Sequence, residues 1–198
     1  MKHGMKSGFT LVETLVVIAI IAIMATMLLA AMPRMRERRE KMICLSNLKQ
    51  IGILVPLYTA EHNGEPPSGI QSDLWEYQTT NPFPSSDHVS PVPRTIFDCP
   101  TARRTYNTNM GAYRAYAWNQ YATRVYHPKL TALTKLSQIA LIAEANSSYL
   151  LNVYANNITN RHAGLCTVLY GDCHVEQIRL TADITNGPAS LTNVFWGF

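Results

Sequence analysis

The sequence predicts an α+β protein: a long amino-terminal membrane-spanning helix packed on a small antiparallel β-sheet head with irregular loops. Three observations carry the prediction. Residues 15–32 are an apolar run of 18 with one polar member, Thr26, long enough to be read as a membrane-spanning helix. Cys44, Leu48, Ile51, Val55 and Tyr58 then step by 4, 3, 4 and 3, which places them on one helical face. Residues 136–144 form a short apolar run, and residues 161–178 hold two β-rich segments around Gly171-Asp172, the pattern of buried strands and a hairpin.

The chain begins with Lys2 and Lys6 ahead of Gly8-Phe9. A general secretory signal has an apolar core of about 7–15 residues and a small-x-small exit. The run here is longer and lacks a strict Ala-x-Ala, with Leu29-Ala30-Ala31 only a weak substitute. Thr10-Leu-Val-Glu13 fits a capping box, with Thr10 as N-cap and Glu13 at the third helical position. An acid in the first turn also suits the helix dipole.

Lys6-Ser-Gly-Phe-Thr-Leu-Val-Glu13, continued by the apolar run, resembles the prepilin-type signal of type IV pilins and type II secretion pseudopilins. The resemblance implies a pilin-like fold, cleavage between Gly8 and Phe9 by a prepilin peptidase, and methylation of the new amino terminus. It implies a single pass of the inner membrane with the head outside the cytoplasm, and a periplasmic or extracellular fibre after assembly. The partners it implies are other pilin or pseudopilin subunits, met through the apolar helix, with Glu13 paired to a neighbour's amino terminus. A carboxylate at membrane depth is costly unless paired, which gives that pairing its physical sense. Lys and Arg are more numerous after the span than before it, so orientation rests on the resemblance and not on the positive-inside rule.

Four segments follow: a leader at 1–8, a transmembrane and assembly helix at 9–32, its extramembrane continuation at 33–60, and a head at 61–198. Pro33 is expected to kink or strain the helix, and Pro56 to fray its last turn. Residues 66–100 hold seven of the 11 prolines and read as an irregular loop, with Trp75, Tyr77 and Phe83 as small packing sites. Cys44-Leu-Ser-Asn-Leu-Lys-Gln-Ile51, Tyr58, Asn63-Gly64, Phe97-Asp-Cys-Pro100 and Tyr116-Ala-Trp-Asn119 are similar to a pilin-like subfamily typical of planctomycete and verrucomicrobial-type bacteria. His162, nine residues and Asp172 are similar to its carboxy-terminal motif. That motif continues with Gly where this chain has Cys173, and Cys does not readily take a positive φ.

Residues 103–126 interleave Arg103, Arg104, Arg114 and Arg124 with five Tyr and Trp118. Such a stretch can stack on bases or sugar rings, but aromatics covering a small head explain it more simply, and no nucleic-acid partner is expected. The formal charge of +4 loses two units with the leader lysines, leaving too little to argue for nucleic acid. His162, Asp172, His174 and Glu176 are candidate metal ligands. The preferred reading has His162 and Asp172 tie the hairpin by hydrogen bonds, with no metal and no cofactor. The four cysteines admit several disulfide pairings. Cys44–Cys99 is the candidate that would staple the proline-rich loop to the stalk, and Cys166 and Cys173 are read as thiols. A two-residue Gly171-Asp172 turn would set Tyr170 opposite Cys173. No Gly-x-Ser-x-Gly, His-Glu-x-x-His or phosphate loop occurs, so the chain is expected to be a structural subunit and not an enzyme. The rival class is a membrane-tethered protein that binds glycan or DNA through residues 103–126.

Overall fold

The computed structural model describes residues 10–67, 74, 96–106, 115–119, 129–145, 150–151 and 158–181. The chain divides into two compact units, Met1–Arg39 and Glu40–Phe198. The first holds the apolar part of helix α1, which runs Leu11–Glu61. Every described residue up to Arg39 is exposed, including Leu11, Val12, Ile18, Ile21 and Met27. An apolar surface of this kind is stable only against lipid or other apolar helices. By length and composition α1 can cross a membrane.

α1 remains helical through Pro33 and Pro56 and ends only at Glu61. The fraying expected at Val55 does not occur. Each proline removes one backbone donor, but its fixed φ is compatible with helix, and at Val55 burial of the residue itself holds the turn in place. The stop comes from Asn63 and Gly64, both at positive φ. The Gly64 N–H donates to the Thr59 carbonyl at 2.8 Å, a left-handed C-terminal cap that leaves no carbonyl row to extend.

The second unit is built on a five-stranded sheet: β1 (Tyr116–Asn119), β2 (Ala140–Glu144), β3 (Leu150–Leu151), β4 (Cys166–Tyr170) and β5 (Val175–Ile178). Its order is β3-β1-β2-β4-β5. The pairs β1/β2, β2/β4 and β4/β5 are antiparallel. The edge pair β1/β3 is parallel, so the sheet is not antiparallel throughout. The apolar run 136–144 splits into a short 3₁₀ turn, Leu136–Gln138, and β2. Lys135 in the left-handed region starts the turn, and Ile139, extended, leads out of it into β2.

Side chains alternate across the strands. Trp118, Ile142 and Leu169 join Cys44, Leu48, Ile51 and Val55 of α1 in the main core. Ala117, Ala143 and Val168 face the other way, into a smaller cluster with Ile158 and Tyr170. The 4-3-4 stripe of α1 is therefore the face the sheet covers. Leu74, from the proline-rich segment, is also fully buried in the main core. Most of that segment, with Trp75, Tyr77 and Phe83, lies outside the described residues.

Polar groups tie α1 to the segment around α2 (Pro100–Tyr106). Glu40 is buried, 2.9 Å from the Arg104 guanidinium, and accepts a hydrogen bond from Thr101. Asn47 Nδ2 donates to the Asp98 carbonyl at 2.8 Å. Buried polar groups need such partners, because an unmade hydrogen bond there costs about 1–3 kcal/mol.

The hairpin turn differs from the expected two-residue form. Cα partners run from Cys166↔Ile178 to Leu169↔Val175, and Tyr170 exchanges backbone bonds with His174 and Cys173. The loop is therefore Gly171-Asp172-Cys173, and Tyr170 faces His174, not Cys173. Cys173 has φ 68°, the left-handed third position of a three-residue hairpin loop. Gly171 serves another purpose. A Cβ there would come within 2.9 Å of the Leu136 carbonyl oxygen.

Candidate functional site

At the start of α1, Thr10 and Glu13 form reciprocal hydrogen bonds. Thr10 donates its backbone N–H and its hydroxyl to Glu13 Oε2, each at 2.8 Å, and the Glu13 N–H reaches Thr10 Oγ1 at 3.3 Å. The arrangement satisfies orphan donors of the first turn. Deeper in the apolar run, Thr26 hides its hydroxyl on the Ile23 carbonyl at 2.7 Å, so it presents no free polar group to lipid. Gly8 and Phe9 lie outside the described residues.

The second concentration of chemistry is internal. Cys44, Cys99, Glu144 and His162 are all fully buried, and one side-chain donor atom from each lies within 4.8 Å of the other three. Four separate elements deliver them. Cys44 stands on the buried stripe of α1, Cys99 immediately precedes α2, and Glu144 ends β2. His162 enters through a tight turn at Ala163-Gly164, whose φ values of 53° and 81° close a bridge between His162 and Leu165.

Within the cluster, His162 Nε2 is 2.8 Å from Glu144 Oε1 and 3.7 Å from Cys99 Sγ. The Thr167 N–H donates to Glu144 Oε2 at 3.1 Å and holds the carboxylate from behind. His162 Nδ1 has no partner among the described residues, so the ring is oriented through Nε2 alone. The electrostatics are tightly linked. A hydrogen bond from Cys44 holds the Cys99 thiol down, and the same contact together with burial pushes Cys44 up. Burial pushes Glu144 up against the pull of His162. Burial alone would lower His162, but Cys99 and Glu144 outweigh it and raise the imidazole to about 9. These four groups could hold a metal ion.

His162 and Asp172 do not come together. Asp172 is exposed on the hairpin loop, where it accepts from the His174 N–H at 3.2 Å and lies 2.5 Å from His174 Nδ1. The His174 ring stacks on Tyr170 with centroids 4.4 Å apart. The four-residue set His162, Asp172, His174 and Glu176 is thus not one site, because His162 points into the core and the other three stand on the exposed hairpin. Cys44 and Cys99 are brought together, as free thiols. Glu144 is the member that sequence inspection missed, since a carboxylate closing an apolar run reads as the end of a strand. Its signal was that Ala145 follows it, continuing the apolar pattern.

The aromatic members of 103–126 that the structure describes are not a binding surface. Tyr116 and Trp118 are core residues. Arg103 and Arg104 pair with Asp98 and Glu40. Arg114, Arg124 and the remaining aromatics, Tyr106's side chain among them, lie outside the described residues.

Comparison with known proteins gives one match. Residues 4–29 fit the prokaryotic N-terminal methylation motif, which supports the resemblance to type IV pilins and pseudopilins over that segment. No curated protein and no solved structure is similar to the chain.

Proposed function

We propose that this protein is a pseudopilin-like subunit, cut between Gly8 and Phe9 by a prepilin peptidase, methylated on Phe9, and assembled into a pilus or pseudopilus of a type II secretion or type IV pilus-like system. The observation that carries this is the methylation motif at residues 4–29 running directly into the exposed apolar half of α1. Residues 9–32 then serve as both membrane anchor and assembly surface, residues 33–60 continue the stalk, and the remainder is a head outside the cytoplasm. The role is structural, with no chemistry of its own.

In the uncleaved chain Glu13 is an ordinary first-turn acid whose acceptor oxygen Thr10 already serves. Cleavage would expose the amine of Phe9 as a new cation beside it. A carboxylate at membrane depth is stable only when paired, so assembly through the amino terminus of a neighbouring subunit follows from processing. The rival reading, glycan or DNA capture through residues 103–126, loses support because Tyr116 and Trp118 are buried.

Mass spectrometry of the chain purified from its native membrane tests the proposal. The expected amino terminus is N-methylated Phe9. An intact leader, or a start near Ala31, would overturn it. Glu13→Gln should leave membrane insertion intact and abolish recovery of the subunit in sheared fibres.

A further inference from the structure

We propose that Cys44, Cys99, Glu144 and His162 form a buried structural zinc site that joins the stalk helix to the head. The inference is independent of how the amino terminus is processed. Its ground is convergence. Four residues from four elements, separated by up to 118 positions in sequence, bring a donor atom each within 4.8 Å of one another. All four are inaccessible to solvent.

The four donor atoms are close enough to converge on a common centre. Zn–S bonds of about 2.3 Å and Zn–N or Zn–O bonds of about 2.0–2.1 Å in a tetrahedron put neighbouring ligand atoms about 3.3–3.8 Å apart. Cys99 Sγ and His162 Nε2, at 3.7 Å, fall in that range. His162 Nε2 and Glu144 Oε1, at 2.8 Å, are at ion-pair spacing and would move apart by about half an ångström around a metal; Oε1 has no hydrogen-bond partner among the described residues. Thiolate sulfur with imidazole favours zinc over the hard cations, which prefer oxygen. Four protein ligands and no open position suit a structural site and not a catalytic one.

Two competing uses of the same atoms fit less well. A Cys–His–Glu nucleophilic set requires the carboxylate on the imidazole nitrogen opposite the thiol. Here both Cys99 and Glu144 approach Nε2, Nδ1 has no partner, and no substrate can reach a fully buried sulfur. A Cys44–Cys99 disulfide would leave Glu144 and His162 as a lone buried ion pair. Replacing such a pair by apolar residues is often neutral or stabilising, so a disulfide alone gives no reason for the other two groups. Supporting contacts already exist around the ligands. The Thr167 N–H fixes the free carboxylate oxygen, and the Ala102 N–H donates toward Cys99 Sγ.

The test uses the full-length chain, purified in detergent without chelators. Elemental analysis should find about one zinc per chain, and X-ray absorption should show two sulfur and two nitrogen or oxygen neighbours. Cys99→Ser and His162→Ala should each lower bound zinc by roughly tenfold or more, while Cys173→Ser, outside the cluster, should leave it unchanged. Because the cluster variants could misfold, a second measurement uses the unaltered chain. After reduction and removal of metal, cobalt(II) should develop a sulfur-to-cobalt charge-transfer band. Absence of both zinc and that band overturns the proposal. So does a Cys44–Cys99 disulfide found by peptide mapping of the unreduced protein, or zinc bound with no sulfur neighbour.

Discussion

Single residues at the β4–β5 turn show how a small substitution can have opposite signs a few positions apart. Gly171 is needed for space: a Cβ there meets the Leu136 carbonyl oxygen and Cδ2 at 2.9 Å and its Cα at 3.2 Å. Two of these are backbone atoms that cannot rotate away. Gly171→Ala should therefore destabilise the head by about 1–3 kcal/mol, the usual range for overpacking. Cys173 has the opposite problem, a side chain in the left-handed region, which costs about 1 kcal/mol for a residue with a Cβ. Cys173→Gly should recover about that amount. Urea unfolding of the detergent-solubilised chain, followed by far-ultraviolet circular dichroism, measures both. The sequence located a Gly-containing turn, but not which position carries the positive φ. That depends on whether the loop has two or three residues, and the β2–β4–β5 pairing sets its length.

At the scale of elements, α1 joins a face made for the sheet to a surface made for something else. Leu48 is fully buried against the sheet and Ile53 is 70% exposed, although both are large aliphatics on the same helix. Leu48→Ala should cost about 2–5 kcal/mol through the cavity it leaves. Ile53→Ala should stay within about 0.5 kcal/mol. The same urea titration separates them. This face was legible because a 3.6-residue period is local information: Cys44, Leu48, Ile51 and Val55 announce it without reference to any partner. The strands were legible in part. β2, β4 and β5 are apolar segments bounded by turn residues, whereas β3 is two residues long and owes its existence to pairing with β1. The Cys44–Cys99–Glu144–His162 cluster was the least legible. Cys44 and Cys99 could be paired and His162 singled out from sequence, but Glu144 could not, and only the packing of α1, the segment before α2, β2 and the Ala163-Gly164 turn makes the four neighbours.

For the whole molecule, the apolar surface and the core belong to different compact units, Met1–Arg39 and Glu40–Phe198. The core cluster draws on no residue before Glu40. A chain beginning at Glu40 should accordingly remain soluble without detergent, elute as a monomer in gel filtration and unfold cooperatively. Loss of cooperativity would mean that residues before Glu40 contribute to the fold of the head. One helix nevertheless belongs to both units. Its buried stripe, from Cys44 to Val55, lies wholly in the second unit. Within the second unit, moving α1 along the sheet would require Leu48, Ile51 and Val55 to leave their core neighbours together. Gly52 marks a close approach of helix and sheet: a Cβ there would lie 2.8 Å from Leu169 Cδ1. A side chain at position 52 would have to displace Leu169, itself fully buried, so the seating of α1 on β4 depends on the missing Cβ.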